Sequence, residues 1–165
     1  MMQEKSTELG TLEYYQGEYG NEFRGEVSVK LFSKIYTVHI RFDVFEEGFD
    51  SLSDHMIEAA RNCLNVIDHH HDIVEQAIKG YYDTKVKVDS EEGFCDYIEM
   101  DDLSQLSQVM SPQELYIVDL RKSKLVKDVK VGLYFNCDWD EEDGFGIRFD
   151  GEGNIVRIGS GGVIY

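Results

Sequence analysis

Two runs of alternating apolar and polar residues constrain the fold of this chain more than any other feature. Apolar residues take every second position from Phe23 to Leu31, and residues 36–44 repeat the pattern. A period of two is that of a strand with one buried face. Because the runs are separated only by about three residues around Ser33, they predict an antiparallel hairpin. Residues 9–15 predict an earlier strand, and residues 1–8 a frayed tail.

The spacing changes to that of a helix between Met56 and Tyr81, where apolar residues recur every three to four positions. Ser51 or Ser53 can cap the start of this region. A single helix of about 30 residues is long for a domain of this size, so the pattern predicts two helices that join near residues 65–70.

The second half of the chain returns to strand-like patterns. We predict short strands at residues 85–88 and 94–98, and a brief helix between Asp101 and Met110. A β-meander follows, at roughly 114–121, 129–137, 145–150 and 154–158. Strands at both ends with helices between them predict an α+β fold: a mainly antiparallel sheet with two or three helices packed on one face. At 165 residues, the prediction is one domain over residues 1–165.

The charge balance restricts the kinds of partner. Asp and Glu number 33 against 16 Lys and Arg, for a formal net charge of −17. This argues against binding to nucleic acid or to an anionic membrane and favours a basic partner, although acidity also simply keeps proteins soluble. The sequence has no apolar run of membrane-spanning length and no apolar signal-peptide core, which predicts a cytoplasmic protein.

The candidate functional segment lies at residues 137–144, CDWDEEDG, where the only tryptophan of the chain stands among acids. The predicted partner-binding residues are Asp138, Trp139, Asp140, Glu141, Glu142 and Asp143. Their spacing does not fit a calcium-binding EF-hand loop, because the sixth and twelfth positions from Asp138 are Asp143 and Phe149. A looser metal site in this loop stays open as an alternative. Trp139 is either a core residue or an anchor for a partner.

Other chemical motifs are weaker. His69, His70 and His71 cannot all face one ion if they lie on a helix, because consecutive residues there point about 100° apart. The glycines after residue 143 lack the spacing of a phosphate-binding loop. Cys137 lies beside acids, which raise a thiol's pKa. We therefore predict no metal, no cofactor and no enzymatic activity.

The pattern C-x-W-D-E-E-x-G-x-G-I at residues 137–147, with residues 131–135 before it and 155–159 after it, resembles the signature of an uncharacterised bacterial domain family. Members typically carry W-D-E-E-H-G, and Asp143 stands here in place of the histidine. Residues 57–82 are similar to the family's paired helices. The family is often linked with the immunity proteins of bacterial toxin systems, and no biochemical activity is implied by the resemblance.

These observations favour a non-catalytic, immunity-type binding protein that neutralises a cognate, basic toxin by protein–protein contact. Two alternatives remain: a metal-dependent hydrolase that uses the acidic loop together with a histidine, and a structural domain without a toxin partner.

Overall fold

The computed structural model describes residues 3–18, 20–44, 52–119 and 129–165. The described residues form eight strands: β1 (Gln3–Thr7), β2 (Gly10–Gln16), β3 (Asn21–Leu31), β4 (Lys34–Val44), β5 (Met110–Asp119), β6 (Val129–Cys137), β7 (Phe145–Phe149) and β8 (Ile155–Ser160). Three α-helices lie between β4 and β5: α1 (Asp54–His69), α2 (His71–Tyr81) and α3 (Lys87–Glu91). A π-helical turn, Tyr82–Val86, joins α2 to α3, and 3-10 helices span Leu103–Gln108 and Gly161–Ile164.

All eight strands belong to one sheet, and they lie in it in the order of the chain. β4 and β5 pair in parallel, whereas the other neighbours pair antiparallel. The parallel pair arises because the connection from β4 to β5 contains the helices, which return the chain to the same end of the sheet. The structure is thus two antiparallel meanders, β1–β4 and β5–β8, joined along one parallel seam.

The predicted fold class, a mainly antiparallel sheet with two or three helices packed on one face, is wrong. The sheet is mixed, and helical segments contact both of its faces. On one face, α1 and α2 cover the main hydrophobic core. On the other face, the C-terminal 3-10 helix places Ile164 in a second cluster with Tyr116 and Val118. Gly132 and Gly146 leave room for this helix, because a Cβ at either glycine would overlap Ile164. This helix has only four residues, too few to show an apolar periodicity from which it could be predicted.

The predicted hairpin of residues 23–31 and 36–44 is confirmed as β3 and β4. Phe32 and Ser33 form its turn, with φ angles of 55° and 62°. Such positive φ angles suit the right-handed twist of paired strands, although they favour glycine or asparagine. The Phe32 N–H donates to the buried carboxylate of Glu75 on α2, which fixes the helix over the end of the hairpin.

The helical region is confirmed as two helices, which meet at His70. Ser53 caps α1 by accepting a hydrogen bond from the Met56 N–H at 3.3 Å. Residues 3–7 differ from the prediction of a frayed tail, because they pair with β2 through their backbone, and this requires no apolar side chains. Ser51 and residues 120–121 of the predicted meander lie outside the described residues.

The predicted strands at residues 85–88 and 94–98 are also wrong. Residues 85–88 are helical, since Tyr82 and Val86 lie one turn apart and are both buried. Residues 94–98 form a bend at 94 and 95 followed by irregular backbone, and they pair with no strand in the described part of the chain.

Candidate functional site

The acidic loop, residues 138–143, connects β6 to β7 and is held by its own backbone and by a neighbouring segment. The Asp138 N–H donates to the carbonyl of Val109 at 2.9 Å. Asp140 organises the turn: its Oδ1 accepts from the Asp143 N–H at 3.0 Å, and its carbonyl accepts from the Gly144 N–H at 2.9 Å. Gly144, which immediately precedes β7, has a φ of 70° and lies in a space too small for a Cβ. The loop is therefore rigidly placed at one end of the sheet.

Trp139 lies half-buried, at the edge of the main core. Its ring centroid is 5.4 Å from that of Tyr82 and 5.8 Å from that of Phe145, the latter in an edge-on arrangement. Aromatic pairs at such separations stabilise a fold beyond the area that they bury. Trp139 consequently ties the acidic loop to the π-helical turn, and part of its surface remains open to solvent.

The six predicted site residues are consecutive, but the structure separates them by role. Asp138, Glu141, Glu142 and Asp143 are exposed, Asp140 is half-buried and bonded within the loop, and Trp139 packs inward. The loop thus presents four exposed carboxylates. Partner binding by these residues stays a prediction.

A second acidic segment reaches the same place, and we call it the crossover segment, residues 88–102. It contains no lysine, arginine or histidine and seven carboxylates: Asp89, Glu91, Glu92, Asp96, Glu99, Asp101 and Asp102. The ring of Tyr97 stacks on that of Tyr82 at a centroid distance of 4.9 Å. Because Tyr82 also contacts Trp139, one aromatic stack joins the crossover segment to the acidic loop.

Hydrogen bonds hold the crossover segment against the π-helical turn. The Ile98 N–H donates to the hydroxyl of Tyr82 at 2.8 Å, and the Tyr97 hydroxyl donates to Asp83 at 2.9 Å. Burial, followed by this contact with Asp83, raises the pKa of Tyr97 to about 12. Sequence analysis placed a strand here and missed the segment as a site. Its run of seven acids without a base, around Phe94 and Tyr97, was the available signal.

A cavity of about 410 Å³ lies between the acidic loop and the 3-10 helix Leu103–Gln108, with Asp138, Glu141 and Cys137 among its lining residues. Burial, more than the neighbouring Asp140, raises the pKa of the Cys137 thiol to about 12. The thiol is therefore protonated at neutral pH and is a poor nucleophile.

The remaining sequence candidates are dispersed. His69 and His70 are exposed at the junction of α1 and α2, and His71 begins α2. Among the described residues, no three side chains of His, Cys, Asp or Glu are grouped to hold a metal ion. No helix within the described ranges combines the length and apolar character needed to cross a membrane.

The protein is thus a mixed-sheet domain in which two acidic segments meet at a stack of aromatic side chains. The chain belongs to the family described as the domain of unknown function DUF6985, whose model matches residues 8–165. Comparison with curated proteins and with solved structures gives no match.

Proposed function

We propose that this chain is a non-catalytic binding protein, an immunity-type inhibitor that acts in the cytoplasm by covering the active surface of a basic bacterial toxin. The observation that carries the proposal is the stack of Tyr97, Tyr82 and Trp139. It joins the acidic loop, with five carboxylates, to the crossover segment, with seven, of which Asp89 pairs with Lys85 at 2.9 Å. We call the exposed carboxylates of these two segments the acidic surface.

Electrostatics explain why such a surface suits an inhibitor. A fixed field of one sign attracts an oppositely charged partner and raises association rates to about 10⁸–10⁹ M⁻¹s⁻¹ at low salt. Fast association is what neutralising a toxin requires. The sequence signature at residues 137–147 supports the same class, since it resembles that of a bacterial family linked with immunity proteins.

Co-purification tests the proposal. The tagged chain is produced together with the product of the gene adjacent to its own, and the complex is isolated and its rate constants are measured at two salt concentrations. We expect a stable complex, protection of the cells from the neighbouring product, and association that slows as salt increases. Absence of both complex and protection would overturn the proposal and favour a structural domain without a toxin partner.

A matched pair of variants assigns the interaction to the acidic surface. The triple variant Asp138→Asn, Glu141→Gln, Glu142→Gln neutralises exposed carboxylates of the loop. The control Glu4→Gln, Glu18→Gln, Glu152→Gln removes the same charge from exposed positions outside the acidic surface. We expect the first variant to slow association about tenfold at low salt and the control to change it less than threefold. Equal effects would show that net charge alone matters.

A further inference from the structure

The crossover segment exposes apolar side chains although its backbone is held in place. Phe94 is 76% exposed and Ile98 is 50% exposed, and Val88 on α3 is 49% exposed. A large aromatic side chain this open to water is unfavourable by itself, because burial of its apolar surface would be stabilising.

The local geometry explains why Phe94 points outward. Gly93, at a φ of 85°, ends α3: its N–H donates to the Ser90 carbonyl at 3.0 Å, and the Phe94 N–H donates to the Asp89 carbonyl at 3.0 Å. In this helix ending, the residue in the position of Phe94 often packs on a residue in the position of Asp89 or Val88. Asp89 is a carboxylate, and both Phe94 and Val88 stay about half or more exposed, so the turn leaves most of the Phe94 ring open to solvent.

The residues after Gly93 alternate in exposure. Cys95 and Tyr97 turn inward, where the Cys95 thiol lies 3.7 Å from the Val86 carbonyl and Tyr97 stacks on Tyr82. Phe94 and Ile98 therefore project from the opposite side of a segment whose inner side is bonded to the fold. The backbone that carries these side chains therefore has little conformational entropy left to lose on binding, which favours tight binding.

We propose that Phe94 and Ile98 are the apolar anchors of the acidic surface, and that they insert into an apolar pocket rimmed by lysine or arginine on the partner protein. The inference rests on the proposed function. Charge complementarity selects this occupant: the anchors stand in a segment of seven carboxylates and no basic residue, of which Asp89 pairs with Lys85, and the excess negative charge matches a basic rim. The same carboxylates would repel a second copy of this chain and an anionic membrane.

The test measures the affinity of the adjacent gene's product for Phe94→Ala, Ile98→Ala and the control Ile35→Ala. Ile35 is a matched control, because it is 77% exposed and lies beside the β3–β4 turn. We expect Phe94→Ala to weaken binding about 30-fold or more, mainly through faster dissociation, and Ile35→Ala to change it less than twofold. Thermal unfolding of each variant establishes that the fold is retained.

Each outcome has a separate meaning. A complex that forms with the wild type and loses less than twofold in affinity in both anchor variants overturns the anchor proposal and leaves the proposed function standing. No complex with the wild type overturns both. Self-association in light scattering, or binding to phosphatidylcholine vesicles, overturns the anchor proposal if Phe94→Ala abolishes it, because the occupant is then a second copy or a lipid surface.

Discussion

The acidic loop and the crossover segment are both rich in carboxylates, yet only the crossover segment leaves an aromatic side chain largely exposed to solvent. The loop packs Trp139 inward on Tyr82 and Phe145. The crossover segment also packs one aromatic residue, Tyr97, but leaves Phe94 exposed. Acid content therefore does not distinguish a structural aromatic residue from an exposed one, whereas the ring contacts of each residue do.

Truncation of one aromatic residue in each segment tests most directly whether the two residues have these different roles. Trp139→Ala should lower the free energy of unfolding by about 3 kcal/mol, because it removes a ring packed at the edge of the core. Phe94→Ala should change it by less than about 0.5 kcal/mol. Urea denaturation measures both, and equal losses in the two variants would contradict the assigned roles.

The glycines that border the two segments offer a second comparison. A Cβ at Gly144 would lie 2.5 Å from the carbonyl oxygen of Phe135, whereas one at Gly93 would meet nothing within 4 Å. Both have positive φ angles, so alanine costs about 1 kcal/mol at each from backbone strain alone. We expect Gly144→Ala to lower the unfolding free energy by more than about 2 kcal/mol, because the clash adds to that strain. A smaller loss than in Gly93→Ala would show that the loop can relax.

Removing one hydroxyl tests how the crossover segment is held. Tyr82→Phe leaves the Ile98 N–H without its acceptor and should lower the unfolding free energy by about 1 kcal/mol. The control is Tyr36→Phe, since the Tyr36 hydroxyl has no hydrogen-bond partner in the part of the chain that the structure describes. Hydrogen exchange should speed up at Ile98 only in the first variant, and unchanged exchange there would mean that the segment is held by other contacts.

Of these perturbations, a rise to alkaline pH should change the stability of the fold least. Burial raises the pKa of Tyr97 to about 12, above the usual tyrosine value of about 10, so the folded state retains the phenol proton. This contribution to stability is complete below about pH 10 and is lost as the pH rises toward 12, because the unfolded chain ionises first. Tyr97→Phe should therefore lose less stability than the wild type between these pH values, as measured by denaturation at each pH. Parallel curves would rule out this role for Tyr97.

Local sequence patterns predicted the elements whose structure depends on residues close together in the chain. The alternation at residues 23–31 and 36–44 gave the hairpin, and the spacing from Met56 to Tyr81 gave two helices. At residues 85–88, lysine and valine alternate as in a strand, but Val86 lies one helical turn after the buried Tyr82. In a helix, Val86 is buried in the core beside Tyr82, and this contact makes the segment helical.

Features set by distant contacts could not be predicted in the same way. The loop itself was located from its sequence, whereas the inward orientation of Trp139 depends on Tyr82, far earlier in the chain. The parallel pairing of β4 with β5 and the second cluster around Ile164 likewise join residues with no shared local pattern. For the same reason, the crossover segment emerged as part of the acidic surface only from the stacking of Tyr97.

The parallel seam also has a consequence for the order of folding. Each antiparallel meander closes through short connections, whereas the seam pairs His39 with Glu114 across the whole helical crossover. Long loops are entropically slow to close, so we expect the seam to form after the two meanders. The acidic surface combines a loop of the second meander with a segment of the crossover, and it is complete only when the crossover has packed on that meander. A nascent or partly folded chain thus carries the charges without the surface, so the proposed binding should begin only after the crossover has packed.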